Sequence, residues 1–181
     1  MKKIRAKYYI AYGSNLNLEQ MARRCPTAKV VGSTTLKNYR LMFRGGSHTA
    51  VATVERSCGD EVPVLIWRLQ PKDEKALDVY EGWPHLYRKE TLRVTVNGKR
   101  LYAMIYIMNE DRNPYGEPSP RYFFTILTGY KSAGFDFRIL REANTRSKKE
   151  LEKQWTDRYK PQFICVSEQP SSCKMERSRL R

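Results

Sequence analysis

Apolar and polar positions follow strand-like periods over the first two thirds of the chain and helix-like periods over the last third. Lys7-Tyr8-Tyr9-Ile10-Ala11-Tyr12 is aromatic and apolar and runs into Gly13, which predicts an opening strand and then a Gly13-Ser14-Asn15 turn. Residues 17–24 have helix chemistry, with Asn17 as N-cap, Gln20 three positions on to complete a capping box, and Pro26 as a stop. Strands are expected over 29–36 and 39–43, parted at Lys37-Asn38, then over 48–54 and 62–69, with Cys58-Gly59-Asp60 turning the chain between the last two. Pro63 is expected near the start of its strand or on an edge, because it cannot donate to a ladder.

Residues 71–80 read as a helix with Pro71 in its first position, Leu77 and Tyr80 on one face, and Gly82 as its left-handed stop. Apolar runs over 86–96 and 100–108 flank Asn97-Gly98, a strong hairpin signal. After a loop rich in Pro, Asn and Gly over 109–118, helices are expected over 120–132 and about 137–155. From Pro161 the sequence turns polar and basic. The expectation is one domain over residues 1–159 and a flexible basic tail over 160–181. Many short strands followed by helices predict an α+β fold, with a small mixed or antiparallel β-barrel, closed or nearly so, flanked by helices.

Composition narrows the class. With 40% hydrophobic and 29% charged residues the chain reads as globular, and no apolar run approaches the roughly 18 residues that span a bilayer. The start has basic residues but no following apolar stretch, so no signal peptide is expected and the cytoplasm is the expected compartment. Cys25, Cys58, Cys165 and Cys173 form no C-x-x-C pair, and free thiols are expected; Cys165 and Cys173 would pair only in an oxidising setting. The net charge of +15 invites a nucleic-acid partner, yet residues 1–7 carry +4 of it and residues 146–181 carry +5. Concentrated at the ends, it discriminates poorly between a polyanion and a small anionic substrate.

Candidate chemistry is sparse. His48 and His85 stand in no metal or triad spacing, and no phosphate-loop, dinucleotide or metal motif occurs, so no metal and no cofactor is expected. Ser14 lacks the second flanking glycine of a nucleophile elbow. Two features remain. Consecutive amides at Tyr12-Gly13-Ser14-Asn15-Leu16, before a helix, could cradle an anion or oxyanion. Glu81, at a helix C-terminus among Tyr80, Trp83 and Pro84, is electrostatically disfavoured as a carboxylate, and its pKa should rise into the range useful for proton transfer. Singly, each also reads as an ordinary turn or an exposed helix end.

Together they resemble the γ-glutamylcyclotransferase (AIG2-like) superfamily. The likeness runs from Tyr12-Gly13-Ser14-Asn15-Leu16 through Gly59-Asp60-Glu61-Val62, Trp67, Leu77-Asp78-Val79-Tyr80-Glu81-Gly82 and Tyr87-Arg88 to Pro118-Ser119-Pro120-Arg121-Tyr122, about residues 8–140. The resemblance implies a catalytic domain that cyclises a γ-glutamyl group to 5-oxoproline and releases an amino acid or amine. It places the general acid/base on Glu81 and substrate binding on Tyr12, Gly13, Ser14, Asn15 and Leu16, with pocket tyrosines on Tyr87, one residue out of spacing, and Tyr122. Tyr80 before the glutamate resembles the γ-glutamylamine or bacterial branches, whereas the Pro-Ser-x-x-Tyr helix resembles the γ-glutamyl-amino-acid branch. The implied partner is a small γ-glutamyl substrate, with no membrane and no nucleic acid; a homodimer is left open. The competing reading is a basic module for nucleic acid or another polyanion on the same fold, without catalysis.

Overall fold

A computed structural model describes residues 7–158; the expected tail, with Cys165 and Cys173, lies outside the described residues. The strands are β1 (Lys7–Ala11), β2 (Lys29–Arg44), β3 (Val51–Leu69), β4 (Tyr87–Val96) and β5 (Lys99–Met108). The helices are α1 (Leu18–Arg24), α2 (Pro71–Tyr80), α3 (Pro120–Ala133) and α4 (Phe137–Arg158), with one-turn 3-10 helices at Ser14–Leu16 and Glu110–Arg112. Among the described residues the strands form one mixed sheet in the order β2-β3-β1-β5-β4. The β1–β5 pair is parallel and the others antiparallel. β1 is therefore central, and its Ile10 and Ala11 are fully buried.

The α+β class holds, but the sheet does not close. Its two edges approach each other through side chains: Thr34 Oγ1 donates to Thr95 O at 2.7 Å, and Asn97 Nδ2 donates to Val31 O at 3.0 Å. A Cβ on Gly32 would lie 2.8 Å from Val96 Cγ2, so the glycine permits this approach.

Two expected breaks are irregularities inside long strands. β2 runs unbroken through Lys37-Asn38, and β3 continues where Cys58-Gly59-Asp60 was expected to turn the chain. The register passes from Lys37↔Glu61 to Tyr39↔Arg56, so Asn38 alone faces residues 57–60. Asn38 and Gly59 take up the distortion at φ 61° and 81°, and Asn38 Oδ1 accepts from Gly59 N at 3.1 Å. β3 begins at Val51 rather than His48, which sits in a turn at φ 62°. Pro63 lies inside β3, paired with Thr35, beyond the last β1 partner at Leu65; on that flank its missing N–H costs no ladder bond to β1.

Local signals held elsewhere. Asn97 and Gly98, at φ 48° and 71°, close the β4–β5 hairpin. Asn17 caps α1 by accepting from Gln20 N at 3.0 Å; at α2 the reach-back comes from Asp73, whose Oδ2 accepts from Gln70 N at 2.8 Å while Asp73 N bonds Gln70 O at 3.0 Å. α2 ends in a Schellman motif: Trp83 N bonds Asp78 O at 3.0 Å and Gly82 N bonds Val79 O at 3.3 Å, with Gly82 left-handed at φ 61°. That motif fixes Glu81 as the C-cap residue of α2.

Candidate active site

Three elements converge beside the C-terminal end of β1. The chain leaves β1 through Tyr12 and Gly13 into the 3-10 turn, α2 delivers Glu81, and α3 delivers Tyr122 from its first turn. They enclose a cavity of about 180 Å³ bordered by Tyr9, Tyr12, Gly13, Ser14, Asn15, Tyr80, Glu81, Tyr87, Tyr106 and Tyr122, with Val51, Ala52 and Leu86 completing its wall. This is smaller than the roughly 300–1,000 Å³ typical of sites for drug-sized ligands and suits a group of amino-acid size.

Close backbone packing sets the turn. Leu16 N and Asn17 N donate to Gly13 O and Ser14 O, each at 3.0 Å, closing the 3-10 helix. Leu16 is fully buried, and a Cβ on Gly129 of α3 would come within 2.6 Å of Leu16 Cβ and 2.9 Å of Asn17 N. Gly129 is thus the position at which α3 presses directly on the turn. Gly13, at φ −115°, needs no left-handed backbone; a Cβ there would meet Ala52 Cβ at 3.1 Å and Tyr122 Oη at 3.6 Å.

Hydroxyl groups stiffen the far wall. Tyr87 Oη donates to Ala52 O at 2.7 Å, and Ala52 N donates to Tyr122 Oη at 3.1 Å. At Ala52 these two phenols take the place of a neighbouring strand. Tyr12 Oη donates to Tyr106 O at 2.6 Å, and Tyr106 Oη donates to Asp78 Oδ1 at 2.6 Å. Lys89 holds Asp78 in turn, at 2.6 Å.

Glu81 is the one carboxylate on the cavity wall. Asn15 Nδ2 donates to Glu81 Oε1 at 2.8 Å and also to Tyr9 Oη at 2.8 Å. Burial pushes the Glu81 pKa from 4.5 up to about 7, against the opposing pull of the Arg24 guanidinium and the Asn15 hydrogen bond. The direction matches the sequence expectation, but withdrawal from water is the cause that dominates. Burial also pushes the phenols of Tyr9, Tyr12, Tyr87, Tyr106 and Tyr122 upward. They stay neutral near pH 7, whereas the Glu81 carboxyl changes charge there.

Of the residues singled out from sequence, the cavity brings together Tyr12, Gly13, Ser14, Asn15, Glu81, Tyr87 and Tyr122. Leu16 lies outside the lining, in the core beneath it. Trp83 and Pro84 also lie outside; Trp83 is 45% exposed, with Lys89 Nζ 4.7 Å from its ring centre. Tyr9, Tyr106, Ala52 and Leu86 escaped the sequence reading. Alternation in β1, which sets Tyr9 on one face with Ala11, was the available signal for the first. Among the described residues no cluster of three or more His, Cys, Asp or Glu side chains is placed to hold a metal ion. No helix among them is long and apolar enough to cross a membrane.

A small cavity walled by phenols, with a single carboxyl pushed up to about 7 and a 3-10 turn beside it, defines a class of small-molecule site. Comparison with known proteins gives that class its family. The profile described as "Gamma-glutamyl cyclotransferase, AIG2-like" matches residues 9–123, and the chain belongs to this family. It is 32% identical over 136 residues to human gamma-glutamylcyclotransferase, covering 70% of this chain and 71% of that one. To the bovine protein of the same name it is 31% identical over 147 residues, covering 76% and 77%. A solved structure of a gamma-glutamyl cyclotransferase superposes with a TM-score of 0.65 at 28% identity, over 80% of this chain and 87% of that one.

Proposed function

We propose that this enzyme is a γ-glutamylcyclotransferase in which Glu81 carries the proton. The observation that carries the reading is the Glu81 carboxyl on the wall of a glutamyl-sized cavity, gripped by Asn15 and held near pKa 7. Its relatives named gamma-glutamylcyclotransferase support the reaction type.

In the proposed reaction the substrate α-amine attacks its own γ-carbonyl carbon. Ionised Glu81 takes a proton from the α-ammonium, and the freed nitrogen forms the new C–N bond. The γ-carbonyl oxygen takes up negative charge in the tetrahedral intermediate. Glu81 then gives that proton to the leaving nitrogen as its bond to carbon breaks, takes the second proton from the ring nitrogen and passes it to the departing amine, giving 5-oxoproline and an amine or amino acid released as its ammonium. A pKa near the working pH lets one group serve both steps.

The nucleophile and electrophile are already tethered, so holding the γ-glutamyl chain folded supplies much of the rate. The amides of Leu16 and Asn17 are engaged within the turn, so the turn amides assigned to the substrate are those of Gly13, Ser14 and Asn15. Tyr12, Tyr87 and Tyr122 shape the wall against which the glutamyl chain folds. The reading carries the cytoplasmic setting with it, supported by free thiols at buried Cys25 and exposed Cys58.

The test is 5-oxoproline release from a panel of γ-glutamyl amino acids, γ-glutamylamines such as ε-(γ-glutamyl)-lysine, and glutathione. Turnover of one or more dipeptides or amines supports the reading and fixes the leaving group. Failure of every member would overturn it.

A further inference from the structure

Glu81 is held from outside the cavity as well as from within it. Arg24, in the last turn of α1, does not border the pocket. Its Nη1 donates to Asn15 Oδ1, its Nη2 reaches Gln20 Oε1 at 3.5 Å, and its guanidinium carbon sits 3.2 Å from the centre of the Tyr80 ring. Tyr80 Oη in turn lies 3.0 Å from Ser14 Oγ. One guanidinium therefore ties α1 to both halves of the site, the turn and the end of α2.

The consequence falls on Asn15. A side-chain amide offers one acceptor oxygen and one NH2 group, and the two can be exchanged by a flip. As placed, Nδ2 gives its two hydrogens to Tyr9 Oη and Glu81 Oε1. Flipped, Oδ1 would face the Glu81 carboxylate, acceptor against acceptor. A guanidinium has donors only, so on the far side of Asn15 it donates to the amide oxygen and would repel the NH2 group.

We infer that Arg24 is a positioning residue: acting through Asn15, it fixes the amide so that Nδ2 grips Glu81 Oε1 and Oε2 is the oxygen that exchanges the proton with the substrate. This rests on the reading of Glu81 as acid/base. The other titratable groups lining the cavity with Glu81 are Tyr9 from β1, Tyr12 after it, Tyr80 beside it on α2, Tyr87 from β4, Tyr106 from β5 and Tyr122 from α3. Asp78, one turn back on α2, is engaged by Lys89 and Tyr106. Arg24 is the cation that opposes the effect of burial on Glu81.

Arg24→Met and Arg24→Lys separate the roles of charge and fork. Two readouts are needed: kcat across pH, and a 13C NMR titration of the Glu81 side-chain carboxyl, assigned by its disappearance in Glu81→Gln. Arg24→Met is expected to raise the Glu81 midpoint and lower kcat roughly tenfold to a hundredfold, the scale of a small misplacement of a reacting group. Arg24→Lys, which keeps the charge without the planar fork, should restore the midpoint and only part of kcat. An unchanged midpoint in Arg24→Met, with kcat falling only in step with the folded fraction seen in thermal melts, would overturn the inference. A midpoint that shifts while no γ-glutamyl substrate turns over would support the Arg24–Asn15–Glu81 linkage and overturn the activity instead.

Discussion

Replacing Glu81 by Gln should lower kcat by roughly 10²–10⁴-fold and stabilise the protein at the same time. Burial moves the Glu81 pKa from 4.5 to about 7, so the native carboxyl holds its proton more tightly than the unfolded one. Between those two pH values the native state binds more protons, and stability falls as pH rises across the window. Above pH 7 the full cost is present, about 3 kcal/mol at 1.36 kcal/mol per pH unit. Glutamine keeps an oxygen for the Asn15 donor and carries no charge to desolvate, so it removes most of that cost. For a chain of this size the gain corresponds to a Tm rise of about 5–10 °C at pH 8. At pH 4.5, where the native glutamate is already protonated, the rise should vanish. Thermal melts of both proteins from pH 4.5 to 8.5 measure this directly. A variant less stable than the wild type at pH 8, or a Tm difference that does not change with pH, would show that burying the Glu81 charge does not cost stability.

The free enzyme must hold Glu81 ionised to accept the ammonium proton, so kcat/KM should rise through a limb centred near pH 7 in steady-state assays. Gly129→Ala gains helix propensity but drives a Cβ against Leu16 and Asn17, backbone included. The net expectation is a loss of about 1–2 kcal/mol in urea unfolding, with reduced kcat as the turn shifts. Tyr122→Phe removes the acceptor for Ala52 N; a loss of about 1 kcal/mol and a raised KM should appear in melts and initial rates.

What was legible in the sequence was local. Glu81 and Gly82 form a helix end whose geometry is written in adjacent residues, and Gly13-Ser14-Asn15 marks its own turn. The hairpin at Asn97-Gly98 is local in the same sense. What was hidden depends on partners far along the chain. Gly59 has the φ of a turn, yet pairing of β2 with β3 on both sides of it carries the strand through. Gly129 looks only like a weak point in a helix until the turn is packed against it. Tyr106 and Tyr9 meet because β1 and β5 lie side by side in parallel, which no short window predicts. Arg24 reads as a charge at a helix end, and its contacts with Asn15 and Tyr80 appear only once α1 and α2 converge.

In the proposed reaction the Glu81 carboxylate moves the proton of γ-glutamyl cyclisation. The most direct measurement is kcat for 5-oxoproline release from the best γ-glutamyl substrate, compared between the wild type and Glu81→Gln at equal folded concentration. Proton transfer by Glu81 requires a fall of roughly 10²–10⁴-fold, the usual contribution of a positioned acid/base. A glutamine variant that retains activity within tenfold of the wild type would contradict it.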